Sequence, residues 1–198
     1  MNIHHPSSML LVGPSQCGKT SLVRELIRKN VHGVKFSKIV WCYLYPASWF
    51  TEEPGIEFVN GLPEKYETDS LIVIDDFLHH LNEKIADLFV TGCHHRRASV
   101  ILILQNLFPR AKVMRDISLN THYLVMFKNP RDMNQINCLA RQLYPRNSKF
   151  LLDAFIKATT RPHGYLVCDL HPETEEEYRL REGFFPHKGL HWIYRPSQ

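Results

Sequence analysis

Gly13-Pro14-Ser15-Gln16-Cys17-Gly18-Lys19-Thr20, with Ser21 behind it, is the stretch that decides how this chain folds. Holding the terminal phosphates of a nucleotide takes several backbone N–H groups turned into one small hollow. Glycine lets the chain curl tightly enough to present them. Spaced as G-x-x-x-x-G-K-T, the segment offers that curl at Gly13 and Gly18, a cation at Lys19 for the β- and γ-phosphates, and a hydroxyl at Thr20 for Mg²⁺. Apolar Met9–Val12 leads in as a short buried strand. Leu22, Val23, Leu26 and Ile27 follow at helical spacing, predicting a helix from Gly18 to about Asn30 whose positive end faces the phosphates. Pro14, Ser15, Gln16, Cys17 and Ser21 complete the lining of the expected nucleotide site.

Outward from the loop, short apolar runs alternate with helical periodicities. Strands are expected at Ile39–Leu44, Ile56–Val59, Leu71–Ile74, Val100–Leu104, Tyr123–Phe127 and Tyr165–Leu170. Leu78, Leu81, Ile85, Leu88 and Phe89 have helix spacing, and further helices are predicted over Asp132–Leu143 and Lys149–Ala158. The fold class is therefore α/β, a mainly parallel central sheet flanked by helices. Residues 1–170 form the nucleotide-binding domain. Residues 171–198, charged and then aromatic, form a C-terminal arm packed on that domain or extending it.

Leu71–Ile74 ends in Asp75-Asp76. A carboxylate at the tip of a parallel strand beside the loop can hold Mg²⁺ with Thr20, and Asp75 takes that role. Asp76, one position on, can reach toward the attacking water as a general base or orienter. Val100–Leu104 ends in Gln105, an amide that on a strand between the other two would contact the γ-phosphate or its water. Phosphoryl transfer also gains from a cation on the developing charge, often supplied by a neighbouring subunit. Arg96 and Arg97 are the preferred pair for that, with Arg115 as second choice.

The histidines and cysteine at 79, 80 and 93–95 match no usual metal-ligand spacing. Cys17 is a small loop residue whose place near a helix N-terminus would favour reactivity.

The 198 residues suit one α/β domain, and the net charge of +4 permits a polyanionic partner without demonstrating one. Lys112, Arg115, Lys128 and Arg131 are basic residues with nucleic-acid contact as one role and a solvated face as the default. No apolar run approaches the ~20 residues that span a bilayer, so no membrane partner is expected. The five scattered cysteines form no CxxC pair, and the start lacks a secretion signal, which points to an intracellular, reducing setting.

In order, the loop, the Asp-Asp strand and the glutamine strand are similar to the FtsK/HerA group of ASCE P-loop ATPases. The runs 92–108 (GCHHRRASVILILQNLF), 117–132 (ISLNTHYLVMFKNPRD), 139–142 (LARQ) and 176–181 (EEYRLR) more closely resemble the genome-packaging ATPases of Polinton/Maverick elements and related viruses. That resemblance implies a P-loop NTPase of the ASCE division that uses ATP and Mg²⁺. It implies a homo-oligomeric ring that moves double-stranded DNA into a preformed capsid, docked on a capsid or portal-vertex protein at a viral assembly site. Many relatives carry Glu where this chain has Asp76. A P-loop phosphotransferase, such as a nucleoside or nucleotide kinase, is the alternative. The glutamine-tipped strand and the paired Asp disfavour it, and no N-K-x-D guanine motif is present.

Overall fold

Strands made almost wholly of apolar residues have to be covered on both faces, and that requirement sets the architecture. In the computed structural model, which describes residues 3–93, 96–186 and 189–196, these strands are β1 (Ser8–Val12), β4 (Leu71–Asp75), β5 (Ser99–Leu104) and β6 (Tyr123–Phe127). Beside them lie β2 (Ile39–Tyr43), β3 (Glu57–Asn60), β7 (Tyr165–Asp169) and two short strands, β8 (Leu180–Arg181) and β9 (Ile193–Tyr194). Among the described residues they make one nine-stranded sheet in the order β3-β2-β4-β5-β1-β6-β7-β8-β9.

From β3 to β6 every pairing is parallel, so the C-terminal ends of these strands share one edge. Beyond β6 the pairing turns antiparallel. Strand β5 lies between β1 and β4, the place expected for the glutamine strand.

Side-chain alternation sorts the core into two layers. Met9, Leu11, Val73, Ile101, Ile103 and Val125 face the side sealed by Leu22, Val23 and Leu26 of α1 (Lys19–Arg28). Leu10, Ile72, Ile74, Leu102, Leu124 and Met126 face the opposite layer. That layer is built from α2 (Glu83–Asp87), α3 (Met114–Leu119), α4 (Asn134–Leu143) and α5 (Ser148–Ala158).

The single helix suggested by Leu78–Phe89 is in fact broken. A 3₁₀ turn at Leu78–His80 precedes α2, and Leu88–Gly92 continues it as a π turn. The restart has a local cause, because the Asn82 side chain accepts from Ile85 N at 3.2 Å and caps the new helix. Helix α3 is an element the spacing did not reveal. Segment 171–196 contributes β8 and β9 to the sheet, and Phe184 sits in the core at 1% exposure. Arg181 Nη2 lies 3.1 Å from Asp169 Oδ2, and Tyr194 OH donates to Glu182 Oε2 at 2.9 Å. No helix among the described residues is long and apolar enough to cross a membrane.

Candidate nucleotide site

The loop between β1 and α1 is shaped by two glycines for different reasons. A Cβ on Gly13 would stand 2.6 Å from Phe127 Cβ and 2.8 Å from Cys17 Sγ, so no side chain fits there. Gly13 N also donates to Leu104 O at 3.2 Å, tying the loop to β5. Gly18 has φ 106°, a left-handed conformation that L side chains resist, and hands the chain into α1. Gln16 is left-handed too, at φ 63°. Lys19 is 8% exposed and folds back over the loop, donating from Nζ to Gly13 O at 2.6 Å and Pro14 O at 2.8 Å.

Thr20, in the first turn of α1, donates from Oγ1 to Asp75 Oδ2 at 3.3 Å. Burial and then the neighbouring Asp76 push the Asp75 carboxyl up to about 6, against the weaker pull of Thr20, Lys19 and Trp41. A hydroxyl and a carboxylate facing each other beside a lysine form a hard-oxygen donor pair, which suits Mg²⁺ better than a softer metal. The buried Trp41 Nε1 lies beside this pair, near enough to Asp75 to favour its ionised form but outside full hydrogen-bond geometry with any described group.

At the end of β4 the backbone of Asp76 turns left-handed, φ 65°, and lifts its exposed side chain toward the next strand. There Gln105 Nε2 donates to Asp76 Oδ1 at 3.2 Å. Lys19, Thr20, Asp75, Asp76 and Gln105, with Ser15 and Gln16, line one cleft of about 290 Å³. Its far wall is aromatic, with Trp41, Tyr43, Tyr45, Trp49 and Phe50.

A second hollow, of about 410 Å³, opens on the other side of Lys19 and Thr20, lined by Ser21, Glu25, Phe127, His163 and Tyr165. His163, left-handed at φ 59°, donates from Nδ1 to Cys17 O at 3.1 Å. Nothing in the sequence pointed to His163, which lies 146 residues from the loop carbonyl it holds. Trp41 was equally silent, since a tryptophan inside an apolar strand reads simply as core.

Arg96 and Arg97 precede β5, so they sit at the N-terminal edge of the parallel strands, opposite the cleft of their own chain. Arg97 Nε is held by Asp69 Oδ1 at 2.8 Å. Arg115 is exposed on α3. The expectation of a reactive Cys17 needs correction, because burial raises its thiol above the ordinary value despite the nearby Lys19. Cys93 is a core residue whose thiol burial pushes up to about 11, and His94 and His95 lie outside the described residues.

The only described group of metal-type side chains close enough to share an ion is His4, His171 and Glu173, at the edge opposite the cleft. The two rings stack 4.2 Å apart and 3° from parallel, and His171 Nδ1 already accepts from Glu173 N at 3.3 Å.

No protein-family profile matches this chain, and no curated protein matches it in sequence. Solved structures do. The genome packaging NTPase B204 of Sulfolobus turreted icosahedral virus 2, in complex with sulfate, superposes with a TM-score of 0.64 at 13% identity over 99% of each chain. The same protein in complex with ATP-gammaS gives 0.60 at 16% identity, over 87% of this chain and 96% of that one. The DNA-packaging ATPase B204 of Sulfolobus turreted icosahedral virus gives 0.59 at 12% identity, over 98% and 100%. The architecture is that of the P-loop NTPases, a mostly parallel sheet between helices with the glycine loop at its C-terminal edge. Within that class, this chain shares its fold with viral genome-packaging NTPases.

Proposed function

We propose that this protein is an ATP-hydrolysing motor that translocates viral double-stranded DNA into a preformed capsid. The observation that supports it most is the convergence of Lys19, Thr20, Asp75, Asp76 and Gln105 on one cleft. A module that only bound nucleotide would need little beyond the loop and its lysine. A second carboxylate beyond the metal pair, with an amide holding it, is what hydrolysis adds.

Gly13–Ser21 hold ATP, and Thr20 and Asp75 hold Mg²⁺, which when bound neutralises charge on the β- and γ-phosphates. Asp76 orients the attacking water and takes its proton onto a carboxylate oxygen. Gln105 positions Asp76 and contacts the γ-phosphate, so its bonding differs before and after hydrolysis. Arg96 and Arg97, facing away from their own cleft, act on the γ-phosphate of a neighbouring subunit in a homo-oligomeric ring. For Arg97 this means exchanging Asp69 for phosphate.

The shared fold and the resemblance across 92–108 and 117–132 support DNA as the cargo. Lys84, Arg110 and Lys112 line a groove beyond Asn106 and make no ion pair among the described residues, which suits a phosphate backbone. A capsid or portal-vertex protein is the docking partner, at the viral assembly site in the host cell.

The test is ATP turnover with and without double-stranded DNA, with Lys19→Ala as the inactive control. Stimulation by DNA is expected. Turnover indifferent to DNA, with phosphate passed to a small acceptor instead, would overturn the proposal in favour of a phosphotransferase.

A further inference from the structure

Trp41 is the bulkiest of the fully buried side chains, at 0% exposure, yet its indole N–H reaches full hydrogen-bond geometry with none of the described groups, Asp75 being near enough only for a weak pull. Buried donors are nearly always paired, so an unpaired one calls for a physical reason. Packing alone does not supply it, because a phenylalanine would fill a core position without the unpaired donor.

The strand register shows where this donor sits. Strand β2 runs parallel to β4 with Trp41 opposite Val73 and Cys42 opposite Ile74. Asp75 lies two residues beyond Val73. Side-chain alternation therefore places Asp75 on the same face as Trp41, one diagonal step away and within reach of a long aromatic. Helix α1 covers that face and delivers Thr20 to the same carboxylate.

The indole is also clamped. Trp49 packs edge-on against it with ring centroids 5.0 Å apart, and the Arg24 guanidinium lies 4.4 Å over the Trp49 ring. Arg24 Nε is fixed in turn by Glu53 Oε1 at 2.8 Å. A rigid donor is thus held at the wall of the cleft next to Asp75.

We propose that Trp41 is a positioning residue for Asp75, its indole N–H fixing the orientation of that carboxylate when Asp75 and Thr20 share a cation. Thr20, from α1, restrains one carboxylate oxygen. Trp41, from β2, restrains the other. Two donors on two separate elements leave the carboxylate a single direction in which to present a lone pair. This rests on the assignment of Asp75 and Thr20 as the Mg²⁺ pair.

The first test needs no substitution of Trp41 in the protein observed. In ¹⁵N-labelled wild type, the indole N–H signals of Trp41, Trp49 and Trp192 are assigned with single Trp→Phe variants. Mg²⁺ is then titrated into the ADP-saturated protein. The Trp41 proton is expected to move downfield and gain protection from exchange, while that of exposed Trp192 stays still.

The second test measures the Mg²⁺ dependence of nucleotide binding. Trp41→Phe should raise the half-saturating Mg²⁺ concentration about ten-fold, a larger factor than any change in metal-free nucleotide affinity. If Trp41→Phe fails to fold, replacing Trp41 by 3-benzothienylalanine removes the N–H at nearly constant shape and should give the same shift. An indole signal indifferent to Mg²⁺ in protein that binds ADP would overturn the proposal, as would wild-type Mg²⁺ dependence in either variant. Asp75→Ala is the separate control. If it leaves Mg²⁺ dependence unchanged, the metal pair itself is misassigned, whatever Trp41 does.

Discussion

Gln105 Nε2 and Asp76 Oδ1 meet at 3.2 Å, joining the tips of two neighbouring parallel strands at the mouth of the cleft. Asp76 reaches that bond from a left-handed backbone at φ 65°, which aspartate tolerates better than most residues. Asp76→Asn keeps the shape and removes the proposed base. Its kcat for ATP should fall by about 10²–10⁴, with nucleotide affinity changed less than about three-fold. Gln105→Ala should cost less, about ten-fold in kcat, because the Asp76 carboxyl remains in place but loses its guide. Steady-state turnover with a fluorescent-nucleotide titration checks both. Wild-type kcat in Asp76→Asn would move the base elsewhere.

Gly18→Ala tests the loop backbone. At φ 106° an alanine is strained, and its Cβ would stand 3.3 Å from His163 Nδ1. The expected result is a loss of about 1–2 kcal/mol in thermal or denaturant unfolding, together with a large fall in nucleotide affinity. Adding His163→Ala relieves the crowding but not the backbone, so it should not restore binding. Full rescue by the double variant would mean that contact, not conformation, demands the glycine.

Asp75 sets a pH dependence. Its folded value is about 6, above its ordinary 3.8. Between those values the folded chain keeps a proton that the unfolded chain releases, so stability falls as pH rises through this window. Without Mg²⁺, Asp75→Asn should therefore be more stable than wild type at pH 7.5, by about 1–2 kcal/mol after allowance for solvent screening. The advantage should shrink below pH 6 and vanish near pH 4. Paired melting curves across pH check this, and a constant difference would show that Asp75 is not the titrating group.

The basic groove can be tested by salt. Replacing Lys84, Arg110 and Lys112 together by alanine should weaken DNA binding. It should also flatten the plot of log affinity against log salt by up to ~3 units of slope. An unchanged slope would place the DNA elsewhere on the surface.

Arg96→Ala/Arg97→Ala subunits mixed into wild type should depress ATPase activity more steeply than their mole fraction, as expected of a site shared between subunits. A straight-line loss would count against an arginine acting in trans.

Much of this organisation was legible in the sequence, where local chemistry and burial agree. The loop, its helix and the all-apolar strands could be read because glycine spacing, periodicity and two-sided burial each leave a local mark. Helix α3 left none, since Met114–Leu119 is too short to show a period. The two-residue strands β8 and β9 exist only through pairing, β8 with β7 and β9 with β8, and the antiparallel turn at β7 is a property of topology rather than composition. In the site, Asp75, Asp76 and Gln105 announced themselves as polar residues ending apolar runs. His163 and Trp41 did not, because each gains its place through a contact far away in the chain.

Lys19 is bonded to the carbonyls of Gly13 and Pro14, the very loop that is to receive phosphate. Any ligand that recruits this ammonium must displace an internal occupant, so occupancy of the loop is an exchange rather than a simple filling. An anionic phosphate oxygen can compete for that ammonium through a charge-assisted bond, which a neutral hydroxyl cannot. The unliganded loop thus selects by charge, since whatever enters must offer the ammonium more than the two carbonyls it gives up.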